Sequence, residues 1–251
     1  MKNKTGLRGT FLLSASLYAV IDEEHHAVAI WNLVAESRVQ LFKEVDPSML
    51  AVSHDAKHLA ISSDETETID TWNLVTGKRT QLLHDGAGGA ARLVYSPNDH
   101  ALVSTNYDND IRLRNTETGE LIAKVSDATG TMFGAEFTPE GQQLNVAGLD
   151  ETVYIRDAKT LAVVRQIKGQ GAIIARLAIS PDGRTLVTAS RDPVDARNPA
   201  KVLIWDLPAG KIERVLQAAH PAFALAFSAD GKWLALALQD KQISLLSSVG
   251  P

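Results

Sequence analysis

The chain has 251 residues, is 45% apolar and 22% charged, and carries a formal net charge of −5 with no cysteine. The absence of cysteine excludes disulfides, thiol catalysis and Cys-based zinc or iron–sulfur sites, and no window approaches the roughly 18 consecutive apolar residues of a membrane-spanning helix. Mild acidity argues against nucleic acid or an anionic membrane as partner, so neither is expected, and no membrane insertion.

The chain repeats itself. LYAVIDEEHHAVAIWN (17–32) aligns without gaps on HLAISSDETETIDTWN (58–73). A turn followed by an alternating run and Asp then recurs: AVSHDAKHLAISSD (51–64), VYSPNDHALVSTNYD (94–108), EFTPEGQQLNVAGLD (136–150), AISPDGRTLVTASRD (178–192) and AFSADGKWLALALQD (226–240). A second marker keeps the same phase, at Trp31-Asn32, Trp72-Asn73, Arg114-Asn115, Arg156-Asp157, Trp205-Asp206 and the worn Leu246-Ser247. Its steps are 41, 42, 42, 49 and 41 residues. A period of about 40–45 residues with several short strands per unit is the signature of a β-propeller.

The expected fold is therefore all-β, a propeller of about six four-stranded blades in a single domain spanning 1–251. The units run approximately 9–43, 48–84, 90–126, 132–168, 172–217 and 221–251. Phe11–Leu13 reads as a shortened first strand. Unit six ends near its third strand, Ile243–Leu246, which leaves ring closure open. Lys2–Arg8 could complete that blade, or the chain could be part of a seven-bladed protein. The N-terminus also has two readings: strands of unit one, with a cytoplasmic location expected, or a signal peptide with Lys2, Lys4 and Arg8 ahead of FLLSASLYAV, which would make the protein periplasmic or secreted.

Unit five shows the logic of one blade. Ile173–Ile179 is a near-continuous apolar run, as a strand buried on both faces requires. Ser180-Pro181-Asp182-Gly183 reverses the chain. Thr185–Ser190 and Val202–Trp205 are the second and third strands, and Lys211–Leu216 is a polar outer strand that keeps the edge soluble.

In the Ser-Pro-Asp-Gly turns and in Trp31, Trp72 and Trp205, the chain resembles the WD-repeat family of β-propellers along essentially its whole length. The resemblance implies a hydrogen-bonded tetrad in some blades: His before strand one, Ser or Thr on strand two, Asp after strand two, and Trp on strand three. The Asp position matches at Asp64, Asp108, Asp150, Asp192 and Asp240, and the His position at His220, with His84 a weaker match. No unit holds all four members, so apolar packing is expected to hold the blades more than polar networks do.

No reaction is legible. Gly86–Gly89 lacks the Lys-Ser/Thr and helix of a phosphate loop. Glu23-Glu24-His25-His26 reads as a solvated turn, since adjacent side chains diverge and a metal needs converging ligands. Ser53, Ser96, Ser180 and Ser228 recur at one register, which reads as turn capping; a nucleophile would occur once, beside a base. No Gly-x-Ser-x-Gly elbow is present. The expectation is a noncatalytic protein-interaction scaffold without cofactor or metal. The alternative is a propeller enzyme or small-ligand sensor, such as a lactonase-like hydrolase or a periplasmic binding component, with its site at the mouth of the central channel.

Loops joining strands two and three share one face with the loops between blades. Asp22, Glu23, Glu24, Asp64, Glu65, Glu67, Asp108, Asp110, Asp150, Glu151, Asp192, Asp195 and Asp240 collect there with the inter-blade Glu44, Asp46, Asp85 and Asp127, so that face should be acidic and should bind a basic protein or peptide. Arg92, Tyr107, Phe133, Arg191 and Phe223 are the expected anchors, because aromatic and Arg side chains dominate binding energy. The insertion Arg191–Pro199 lengthens one such loop, which reads equally as a functional loop on a rigid scaffold and as a neutral surface insertion, since long loops cost little to close.

Overall fold

Alternating apolar runs separated by turn residues can bury one face only by pairing with their neighbours in sequence. In the computed structural model, which describes residues 7–12, 17–22, 26–32, 34–43, 47–86, 88–168, 171–191, 200–218, 220–240 and 242–247, every regular element described is a β-strand. The strands form six antiparallel sheets, each a meander of consecutive strands, five with four strands and the sixth with three. This is the blade architecture of a β-propeller. The first three sheets lie in one compact unit, 1–124, and the last three in a second, 125–251.

The first strand is longer than the sequence suggests. Leu7–Leu12 pairs with Leu17–Asp22 in the first sheet, so Leu7 and Arg8 do not complete the sixth. Asp192 and the insertion, the Glu23–His25 turn, Glu44, Asp46 and residues 1–6 lie outside the described residues.

Side-chain caps shape both turns of the opposite end. In the first turn, the hydroxyl of Ser53, Ser180 or Ser228 donates to the carboxylate two residues on, at 2.7, 2.5 and 2.6 Å, and Ser96 donates to Asn98 at 2.7 Å. The same oxygen accepts the backbone N–H five residues on, from His58, Ala101, Thr185 and Trp233. Thr138 accepts from Gln143 in the same way at 3.2 Å. The recurrent Ser is thus a turn cap.

The Asn or Asp after the Trp position has an equally local role. Asn32 Oδ1 accepts the N–H of Val34 and Ala35, Asn73 those of Val75 and Thr76, Asn115 those of Glu117 and Thr118, and Asp157 those of Lys159 and Thr160. Asp206 accepts from Ala209. An Asx turn satisfies the backbone where the ladder stops.

Register shifts recur as well. The innermost strand of sheets one, three, four, five and six is bulged near its start, at Gly9, Ala91, Phe133, Ala175 and Phe223, whereas Met49–Val52 in sheet two is regular. A bulge turns one extra side chain out of the alternation. This is what aims Phe133 and Phe223 at the loop end.

Packing runs from sheet to sheet within each unit. Leu59 and Ile61 join Val28, Ile30, Phe42 and Leu50 on one side of sheet two, and Ala60 and Ile69 join Leu93, Tyr95 and Leu102 on the other. In the second unit Trp205, Leu186 and Leu203 pack with Ile155, Ile167 and Ile174, and Val187 and Val202 with Leu234, Leu236 and Leu238. The outer strand Lys211–Ala218 is mostly exposed. Gly148 at the end of Gln143–Gly148 lies against the backbone of Thr131 and Met132, where a methyl group has no room.

Two outcomes follow. Replacing Gly148 with Ala should destabilise the protein by about 1–3 kcal/mol through overpacking, read by urea unfolding. Ser180 donates to Asp182 and holds that carboxyl below the ordinary 3.8. In Ser180→Ala, NMR titration should find Asp182 higher, nearer 3.8. The linkage sign is that of a depressed acid: the cap's contribution is present above the ordinary value and is lost as pH falls through the folded value.

Candidate functional site

Strands impose a common direction on each blade, so the starts of first strands, the ends of second strands and the inter-blade loops share one end. In the first unit the turn after His58–Ser63 carries Asp64, Glu65 and Glu67, all exposed. It is held in place: Ser48 Oγ donates to Asp64 Oδ1 at 2.7 Å, and the N–H of Gly88 donates to Glu67 Oε1 at 3.2 Å. Glu67 takes a positive φ of 55°. The neighbouring blade adds Tyr107, 48% exposed, whose N–H donates to Gly89 O. Arg92, opposite Thr105, is half-buried.

Two carboxylates expected on this surface are inside the blade. Asp85 and Asp110 are 1% and 6% exposed. Asp85 accepts from Ser104 Oγ at 2.9 Å and, with the Asn106 amide turned so that both its ends are satisfied, from that amide at 2.7 Å. Arg114 lies 3.7 Å away. Asp110 is bound by Arg112 at 2.7 Å and Lys124 at 2.6 Å, and Arg112 also donates to Asp108 at 2.7 Å. Burial pushes the Asp85 carboxyl up. Burial works to lower the Arg112 guanidinium, but its bonds to Asp108 and the neighbouring carboxylates outweigh it and raise it. Among the described residues of this unit, the exposed acidic patch is therefore Asp64, Glu65 and Glu67, with Asp108 at its border.

The same exchange of residues occurs in the second unit. Arg156 is fully buried, donates to both oxygens of Asp127 at 2.6 and 3.1 Å, and donates to Leu161 O at 2.8 Å. Arg114 and Arg156 stand at the Trp position, and Asp85 and Asp127 just before strand one, each pair 42 residues apart. Two blades thus replace the expected Trp and His by Arg and Asp. His84 plays no such part: it is exposed, and Arg114 donates to its carbonyl at 2.7 Å. The polar networks of these blades exceed what the incomplete tetrads predict.

Elsewhere the tetrad survives in fragments. Trp205 is 2% exposed and its Nε1–H donates to Thr188 Oγ1 at 2.9 Å. Trp72 packs edge-on to Phe42 with ring centroids 5.0 Å apart, and its buried Nε1 has no acceptor among the described residues. Trp31 is half-buried. Asp150 accepts from Tyr154 Oη at 2.6 Å and Thr129 at 3.1 Å. Burial, reinforced by that bond, pushes the Tyr154 phenol up to about 12. His220 Nε2 lies 3.6 Å from Asp240.

At the loop end of the second unit the Arg191 guanidinium sits 5.6 Å above the Phe133 ring. Arg176 Nε donates to Phe223 O at 2.6 Å, and Phe223 is 56% exposed. Glu151 is exposed at a positive φ of 62°.

The opposite end has grooves between successive blades. One of about 360 Å³ is lined by Asp55, His58, Tyr95, Asp99, His100 and Thr116. Others, of about 440 Å³ each, lie at corresponding places beside Thr138 and Pro208 and beside Ser180 and Phe227. Their recurrence marks them as products of blade packing. Among the described residues no group of three or more His, Cys, Asp or Glu could hold a metal ion, and no helix is long and apolar enough to cross a membrane.

The WD domain, G-beta repeat family model matches residues 161–193, which run from the outer strand of the fourth sheet through the second strand of the fifth. Over that segment the chain carries a WD repeat, and its sheets have the blade architecture of a β-propeller. No curated protein matches the chain. The matched segment contains the best-kept Ser-Pro-Asp-Gly turn, and the blades with Arg at the Trp position depart furthest from the tetrad.

The Arg156–Asp127 pair supports a double-mutant test. Asp127→Ala should cost about 2 kcal/mol by orphaning a buried guanidinium. Asp127→Ala combined with Arg156→Met should cost clearly less than the sum of the single changes, as measured by urea unfolding.

Proposed function

We propose that this protein is a noncatalytic interaction module whose first unit binds a basic protein or peptide through the acidic turn Asp64–Glu67. WD-repeat propellers commonly mediate protein–protein interaction and are in general noncatalytic scaffolds. The observation that carries the reading is the pinned, exposed carboxylate group at that turn, with Tyr107 on the neighbouring blade. Fixed carboxylates lose little conformational freedom on binding, and an exposed aromatic supplies the apolar contact that dominates binding energy. Such attraction is screened over about 8 Å at physiological ionic strength.

The test is direct. Binding of a fluorescein-labelled peptide rich in Lys and Arg, followed by anisotropy, should weaken about tenfold or more in Glu65→Lys/Glu67→Lys and should fall with salt. Tyr107→Ser should weaken it independently of salt. Equal affinity of wild type and the double variant would remove the acidic turn as the binding site.

A further inference from the structure

The second unit presents a loop end of different chemistry. Its three first strands, Met132–Phe137, Ile173–Ile179 and Ala222–Phe227, begin side by side, and two of their bulges turn out a Phe. Arg191 leaves the second strand of the middle blade opposite Ile173, is exposed, and lays its guanidinium over Phe133. Arg176, opposite Ala189 on the same blade, reaches the other way and donates to the carbonyl of Phe223. Along this edge the chemistry reads Phe133, Arg191, Arg176, Phe223: apolar, cation, cation, apolar.

The two guanidiniums are not equivalent. Arg176 is half-buried, with Nε and Nη1 on the carbonyls of Phe223 and Ala175. It is a fixed positive charge that ties the fifth blade to the sixth. Arg191 touches a ring face only, among the described residues, and meets no carboxylate there. This sets it apart from Arg79, Arg112, Arg114 and Arg156, each of which pairs with an Asp. An Arg stacked on an aromatic keeps its planar fork of donors open and pre-oriented, an arrangement suited to a carboxylate.

We propose that Phe133, Arg191, Arg176 and Phe223 form a second docking surface, independent of the acidic turn, for an extended acidic segment of a protein partner with the order apolar–acidic–acidic–apolar. Charge complementarity selects the acids, Arg191 supplying the bidentate contact and Arg176 the background field. Phe223, more than half exposed, takes one apolar flank, and the outer part of Phe133 takes the other.

The experiment uses the full chain and short fluorescein-labelled peptides with cores Phe-Glu-Glu-Phe, Phe-Lys-Lys-Phe and Ala-Glu-Glu-Ala, followed by anisotropy at low salt. The first should bind at least about tenfold tighter than the other two. Arg191→Gln and Phe223→Ser should each weaken it severalfold or more, and Arg191→Lys should fall between, since it keeps the charge without the planar fork. Both loss variants alter exposed side chains, and an unchanged thermal melt, with binding of the Lys- and Arg-rich peptide retained, shows that they are folded. The proposal is overturned if Phe-Glu-Glu-Phe binds no tighter than Phe-Lys-Lys-Phe, or if either loss variant binds it as wild type does. Loss of the basic peptide in Glu65→Lys/Glu67→Lys tests the other surface and leaves this one standing.

Discussion

Everything in this fold depends on how the chain reverses direction. A meander of short strands has about as much backbone in turns as in ladders, and each turn exposes donors that the sheet does not satisfy. Here a Ser or Thr hydroxyl closes the turn after strand one, and an Asn or Asp carboxyl or amide oxygen closes the turn after strand three. With both reversals fixed, register is fixed, and the second strand of sheet two turns one row of side chains toward the preceding blade and the other toward the following one. Leu59 and Ala60 in sheet two show this alternation, each packing in a different cluster. The turns between strands two and three at the opposite end do not share the Ser or Thr cap of the first turn and can vary in sequence.

That freedom has been used differently in the two units. In the first, the Asp64–Glu67 turn offers carboxylates to solvent while Asp85 and Asp110 are drawn inward and neutralised by Arg112, Arg114 and Lys124. In the second, Asp127 and Asp150 are engaged by Arg156 and Tyr154, and the exposed chemistry passes to Arg191 and Phe223. Net charge along the sequence says little about this difference, because a carboxylate paired inside a blade and one at a turn count equally in composition.

The Arg–Asp exchange explains how blades without Trp remain packed. A buried Trp donates one hydrogen bond; a buried Arg donates up to five and needs an anion close by. Asp85 and Asp127, just before strand one, each bring a carboxylate to the Arg on the third strand of their own blade. Leu161 shows a related adjustment. It holds a positive φ of 61° where Gly77, Gly119 and Gly210 stand in other blades, and it is wholly buried, so that apolar burial offsets the strain of about 1 kcal/mol of a left-handed L-residue.

The sequence by itself determined the period, the strand order, the turn residues and the identity of the repeat, because these are local: alternation, Gly and Pro at reversals, and Ser or Asx beside them act over five residues or fewer. It also determined that Ser53, Ser96, Ser180 and Ser228 are caps, since only a structural role recurs in phase. Tertiary structure decided which acids are exposed, since the fate of Asp85 depends on Ser104 and Arg114, 19 and 29 residues further along the chain. It also decided where Phe133 and Phe223 point, since a bulge is a mismatch between two paired strands and leaves no mark in either one alone. The arginine–aromatic edge is non-local for the same reason: its four residues come from three blades, and only strand pairing and blade packing bring them to one end.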